Sequence, residues 1–126
     1  MNNNVTVIAH RGNFLPEGPI PEVQNQYIIP ENTLEAFKRA FENGWGIETD
    51  IRITGDGNFI CLHDENAVPP SEFKIPTLDE LCELAQKKIA NEQPTFVAFQ
   101  IKRGAAPNSG IMVGRTVANK IQQYKL

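Results

Sequence analysis

Short β-branched apolar runs alternate along this chain with stretches whose apolar residues recur at helical spacing. That alternation limits the fold more than any other feature. Val5 to His10 (V-T-V-I-A-H) reads as a buried strand. Residues 13–31 carry Pro16, Pro19, Pro21 and Pro30, which bar regular structure and predict a loop. Asn32-Thr33 offers a helix N-cap, Leu34, Phe37 and Phe41 follow at helical spacing, and Gly44 suits the position just past the end. Ile47 to Thr54 is a second strand. Asp56-Gly57 marks a tight turn, and Phe59 to Leu62 returns as a short strand ending at His63-Asp64. Residues 65–76 predict a loop with Pro69, Pro70 and Pro76. Thr77-Leu78-Asp79-Glu80 fits a capping box, and Leu78, Leu81, Cys82, Ala85 and Ile89 trace one apolar helix face. Thr95 to Ile101 is a third main strand, residues 102–109 are a loop, and Val113, Val117, Ile121 and Tyr124 line a last helix. Strands that alternate with helices pair in parallel, so the expected class is α/β, built from βαβ units.

The acidic balance narrows the partners. With 12 Lys+Arg and 15 Asp+Glu among 126 residues, the net charge is −3. Nucleic acid or an anionic membrane would call for clustered basic residues, so neither is an expected partner. Cys61 and Cys82 lie inside apolar runs without metal-ligand spacing and read as buried thiols of a reducing compartment. No apolar run approaches the ~20 residues that span a bilayer. Met1-Asn2-Asn3-Asn4 lacks the basic start and apolar core of a signal peptide, so the expectation is a cytoplasmic protein.

The polar residues with the most informative placement sit at strand ends. His10-Arg11-Gly12 closes the first strand, and His63-Asp64 closes the hairpin strand. Glu48 and Asp50 are two apart on the second strand, so both carboxylates point to one face. Gln100 and Lys102 are two apart at the end of the third. In parallel α/β folds ligands sit at the carboxyl ends of strands. Each piece also has a plain reading: a locally bonded histidine, an exposed strand face, a surface ion pair at Arg11. Together they suggest hard-cation chemistry on a phosphate ester. Two carboxylates suit Mg²⁺ or Ca²⁺. Arg11 can fork onto phosphate oxygens, and Lys102 adds a point charge. Two histidines can exchange protons near neutral pH. Zinc fits less well, with two His and no clustered Cys.

These segments, in this order, resemble the glycerophosphodiester phosphodiesterase family, relatives of the phosphatidylinositol-specific phospholipase C type of barrel. The matching stretches are A-H-R-G at 9–12, P-E-N-T-L-E-A-F at 30–37, G-I-E-T-D at 46–50, T-G-D-G at 54–57, L-H-D at 62–64 and P-T-L-D-E-L at 76–81. The resemblance runs over residues 5–103. It implies the N-terminal half of a (β/α)₈ TIM barrel: three βα units, with a short hairpin after the second strand. It also implies a single partial domain over 1–126. The implied activity is hydrolysis of a small-molecule glycerophosphodiester to glycerol 3-phosphate and an alcohol, aided by one divalent cation, Mg²⁺ or Ca²⁺. His10 and His63 would be the acid–base pair. Arg11 would contact phosphate, with Lys102 and Asn32 beside the substrate. Glu48 and Asp50 would be metal ligands.

Three departures stand out. The family's Glu-x-Lys on the third strand is Gln100-Ile101-Lys102 here, so the ligand set loses a charge unless Glu31 compensates. Only residues 65–76 follow His63-Asp64 where the family commonly inserts a longer cover. The loop over 13–29 is longer than the family's usual connection. A full barrel takes ~250 residues, so the remaining strands come either from a longer protein, the favoured reading, or from a second copy or another subunit. A cyclising phosphodiester lyase and a non-catalytic phosphate- or metal-binding module are the rival functions.

Overall fold

The computed structural model describes residues 6–12, 29–91, 96–102, 104 and 108–126. The elements run in the expected order: β1 (Ile8–His10), α1 (Leu34–Glu42), β2 (Gly46–Ile53), β3 (Phe59–Cys61), α2 (Leu78–Ala90), β4 (Val97–Ile101) and α3 (Ser109–Tyr124). A single 3₁₀ turn at Glu65–Ala67 interrupts the stretch read as loop. Most of the long loop after Gly12, together with Val5 and Thr95 of the expected strands, lies outside the described residues.

The helix boundaries follow local chemistry. The Thr33 hydroxyl accepts from the Ala36 N–H at 3.2 Å, and α1 ends at Asn43, just before Gly44 at φ 74°. At α2 the box is reciprocal. The Glu80 N–H donates to the Thr77 hydroxyl at 3.1 Å, and the Thr77 N–H donates to the Glu80 carboxylate at 3.1 Å.

The apolar faces of all three helices bury against one face of the sheet. Phe37, Ala40 and Phe41 of α1, Leu81 and Cys82 of α2, and Val113 and Val117 of α3 cluster with Ile47, Ile51 and Cys61. Ile89, expected on that buried face, is 41% exposed. It lies in the last turn of α2, on an apolar hollow lined also by Phe96, Val97 and Phe99 at β4 and by Ile121 and Leu126, which leaves one side of it open to solvent. Cys61 and Cys82 are free and buried, as expected. Burial raises the Cys61 thiol to about 12 and the Cys82 thiol to about 11, which keeps both protonated and inert.

Pairing places the strand ends. β2 pairs in parallel with β1 and with β4, as βαβ units require, and antiparallel with β3. The carbonyls of Glu48 and Asp50 point to the same edge of β2, because carbonyl direction alternates along a strand. Glu48 accepts there from the Arg11 N–H at 2.7 Å, and Asp50 accepts from the Leu62 N–H at 3.0 Å. β1 therefore runs up one half of that edge and β3 runs down the other, and they meet beside Thr49. The opposite edge belongs to β4, through Ile47 N–H to the Phe96 carbonyl at 2.8 Å and Lys102 N–H to the Ile51 carbonyl at 3.0 Å. Ile47, Thr49 and Ile51 face the helices, so Glu48, Asp50 and Arg52 take the helix-free face. Among the described residues, no further strand pairs with the outer edges of β1 and β4. No helix among them is long and apolar enough to cross a membrane.

Candidate active site

The turn after β1 is built for close approach. Arg11 adopts φ 58° and Gly12 φ 85°, and the Gly12 N–H closes back on the Ala9 carbonyl at 3.1 Å. A second left-handed residue, Asn32 at φ 55°, donates its N–H to the Arg11 carbonyl at 2.8 Å. Asparagine tolerates that conformation better than most residues. The two turns are thus locked together over the carboxyl end of β2.

Asp50 sits at the centre and is fully buried. Its Oδ2 accepts from Asn32 Nδ2 at 3.0 Å and lies 3.5 Å from Arg11 Nε. Its Oδ1 lies 3.5 Å from Lys102 Nζ. Asn32 also accepts from the Thr49 hydroxyl at 2.8 Å, so both ends of its amide are engaged within the fold. Its place in this structure is to orient Asp50. Arg11 Nη1 donates to Glu31 Oε2 at 2.6 Å, so Glu31 steadies the guanidinium. Burial by itself lowers the Arg11 pKa, but the Glu31 hydrogen bond and the charges of Glu31, Asp50 and Glu48 outweigh it, and the net shift is upward. His10 Nε2 approaches Glu48 Oε2 at 3.2 Å without hydrogen-bond geometry, and the imidazole is 65% exposed.

Three carboxylates (Glu31, Glu48, Asp50) thus face two permanent cations (Arg11, Lys102), a balance of 2 − 3 = −1. Both Glu48 oxygens, Asp50 Oδ1 and Arg11 Nε are buried without a hydrogen-bond partner. Buried carboxylate oxygens are rarely left so, and the usual explanation is an ion, a water or a ligand. Among the described residues, no three His, Cys, Asp or Glu side chains are gathered into a metal cluster. Gln100 is the register partner of Asp50 and exposed, with no side-chain bond among the described residues.

His63 arrives from the other side. It follows β3, one residue past the Leu62 N–H bond to Asp50. Asp64 Oδ2 lies 2.7 Å from His63 Nδ1, and Asp64 Oδ1 accepts from the Asn66 N–H at 2.8 Å as the cap of the 3₁₀ turn. The hydrogen bond to His63 holds the Asp64 carboxyl below its ordinary range, against a smaller opposing effect of burial. An ionised Asp64 only accepts, which places the ring proton on Nδ1 and leaves Nε2 to the site. Arg52 Nε donates to the His63 carbonyl at 2.7 Å. The sequence marks Asp64 only as the neighbour of His63 at the strand end, with no role of its own, and does not mark Arg52. The signal for Asp64 was its place next to His63, two before a residue whose N–H it caps. Nothing local marked Arg52.

The structure therefore joins His10, Arg11, Glu31, Asn32, Glu48, Asp50 and Lys102 in one contact network. His63 enters it through the backbone of Leu62, with Asp64 and Arg52 as its own partners.

Comparison with known proteins bears out the resemblance. Residues 10–68 match the model of the glycerophosphoryl diester phosphodiesterase family. A glycerophosphodiester phosphodiesterase of Caldanaerobacter subterraneus is 47% identical over 60 residues, covering 47% of this chain and 20% of that protein. Glycerophosphodiester phosphodiesterase 1 of Bos taurus is 28% identical over 125 residues, covering 98% of this chain and 32% of that protein. Among solved structures, a glycerophosphodiester phosphodiesterase of Parabacteroides distasonis superposes with a TM-score of 0.69 at 22% identity, over 96% of this chain and 52% of that one. One from Silicibacter pomeroyi, described as a glycerophosphoryl diester phosphodiesterase on provisional grounds, gives 0.64 at 16% identity, over 96% and 54%. Residues 10–68 are thus similar in sequence to the glycerophosphoryl diester phosphodiesterase family, and the fold is that of part of a TIM barrel. The chain spans about half the length of these solved relatives, and a fifth to a third of the curated ones.

Proposed function

We propose that this chain carries the catalytic strand ends of a phosphodiesterase that hydrolyses glycerophosphodiesters to glycerol 3-phosphate and an alcohol. The observation that carries the reading is the set of buried oxygens, both of Glu48 and Oδ1 of Asp50, that accept no hydrogen bond, set between two histidine-bearing strand ends. Those oxygens suit a hard cation, and Glu48 and Asp50 would hold Mg²⁺ or Ca²⁺, with Gln100 as a neutral neighbour. When bound, such an ion offsets charge on the phosphoryl oxygens. Glu31, engaged with Arg11, serves the guanidinium in this reading.

The protein's own residues divide the remaining work. Arg11 and Lys102 place positive charge where phosphate oxygens would lie. His10, the more exposed of the two histidines, borders solvent and takes a proton from the attacking water. His63 enters the step doubly protonated, with its Nδ1–H held by Asp64, and gives the Nε2 proton to the leaving alkoxide as the P–O bond breaks. The products are a phosphomonoester and an alcohol, and proton exchange with solvent resets both rings.

Phosphorus NMR of a glycerophosphocholine digest with Mg²⁺ or Ca²⁺ tests the proposal. Accumulation of glycerol 3-phosphate supports it. A cyclic phosphate as the end product would assign a cyclising lyase instead. Unchanged substrate, with cation affinity retained, would assign a binding module.

A further inference from the structure

Beyond His63, the helix-free face of the sheet continues into a cleft of about 580 Å³. Arg52 and Thr54 line it from the end of β2, Ile60 and Leu62 from β3, and Asp64 and Asn66 from the following turn. Arg52 and Ile60 are register partners, so they share a face. Two residues that line the cleft also hold His63: Arg52 donates to its backbone carbonyl, and Asp64 engages its ring.

Arg52 is the unsatisfied group here. Its Nε is engaged at the His63 carbonyl, while its two Nη nitrogens meet no hydrogen-bond or ion-pair partner among the described residues. Asp64 lines the same cleft and keeps its charge, but it makes no ion pair with Arg52: its oxygens are directed to His63 Nδ1 and the Asn66 N–H. A guanidinium beside the apolar walls of Ile60 and Leu62 attracts an anion more strongly than one in open water.

We infer that this cleft receives the alcohol part of the phosphodiester, and that Arg52 selects an alcohol bearing a carboxylate or other anionic group. The inference rests on the reading that His63 faces the leaving oxygen. The size suits a small substituent, since ligand pockets run from ~300 Å³ upward.

Calorimetric titration of the His10→Ala protein, chosen to suppress turnover, tests it with two probes. Glycerophosphoserine and glycerophosphocholine both carry a cationic nitrogen, and the carboxylate is the charged group that differs. The expected result is affinity on the order of tenfold tighter for glycerophosphoserine. Arg52→Gln should erase the preference, and Arg52→Lys, which keeps the charge, should retain part of it. Equal affinities, or an Arg52→Gln variant that weakens both probes alike, would overturn the inference. The outcome is separable from the reaction. A preference that vanishes with Arg52 in a protein that makes no glycerol 3-phosphate upholds the cleft and refutes the hydrolysis. Turnover without preference does the reverse.

Discussion

Replacing either His10 or His63 with alanine should lower kcat by ~10²–10⁴-fold, the usual contribution of a positioned acid or base, while the melting temperature stays nearly unchanged. The structure explains why the two effects separate. The His10 side chain is 65% exposed, and its nearest charged atom is a Glu48 oxygen at 3.2 Å. Removing it takes little out of the core. The His63 ring is held by Asp64, whose side chain is 40% exposed and can turn to water once the ring is gone. The bond from Arg52 to residue 63 is made to a backbone carbonyl and survives the substitution. Steady-state kinetics on the two variants, with a thermal melt beside them, decide the point. A variant that keeps most of its turnover would refute the two-histidine mechanism. A variant that loses activity together with its cooperative melt would show a structural role.

Gly12→Ala should produce the largest loss of stability among changes at the site. Gly12 holds φ 85°, a conformation that costs an L-residue about 1–2 kcal/mol. An added Cβ would also lie 2.9 Å from the Ala36 Cβ, 3.0 Å from the Ala36 carbonyl carbon and 3.0 Å from the Phe37 ring. Ala36 and Phe37 are fully buried in the first turns of α1, so neither can move aside freely. Overpacking of this kind adds about 1–3 kcal/mol, and the combined loss is about 2–5 kcal/mol. Gly44→Ala is the control. Gly44 has φ 74°, with nothing within 4 Å of its would-be Cβ, so it carries the backbone strain alone. Urea unfolding should rank Gly12→Ala below Gly44→Ala by at least ~1 kcal/mol. Equal losses would show that the turn does not press on α1. The change also reaches function, because the same turn sets Arg11 against Asp50.

Local signals were the readable part of the sequence. Thr77 and Glu80 are three residues apart, and their reciprocal bonds need nothing from the rest of the chain, so the start of α2 was legible. The same holds for Thr33 and for Gly44. The common face of Glu48 and Asp50 follows from strand alternation alone. What was not legible depends on pairing between distant segments. That β1 and β3 share one edge of β2 and bring their histidines toward each other is fixed by bonds from Arg11 to Glu48 and from Leu62 to Asp50. No periodicity carries that register. Asn32 was read as a substrate contact, yet its amide bridges Thr49 and Asp50, two residues that meet it only in the folded chain. Ile89 keeps the helical spacing of its neighbours but borders an open apolar hollow and is half-exposed, which spacing alone does not reveal. Gln100 is level with Asp50 only through the pairing of β2 with β4, and it is exposed there.

The central claim is that the buried Glu48 oxygens and Asp50 Oδ1, which accept no hydrogen bond, form a site for a hard cation. A thermal melt of the protein with and without millimolar Mg²⁺ or Ca²⁺ tests it most directly, since a ligand that binds only the folded state raises stability by RT ln(1 + [L]/Kd). The account predicts an upward shift with the cation, and no shift in a Glu48→Gln, Asp50→Asn double variant that still melts cooperatively. The same melting temperature with and without cation, or an equal shift in the double variant, would contradict it.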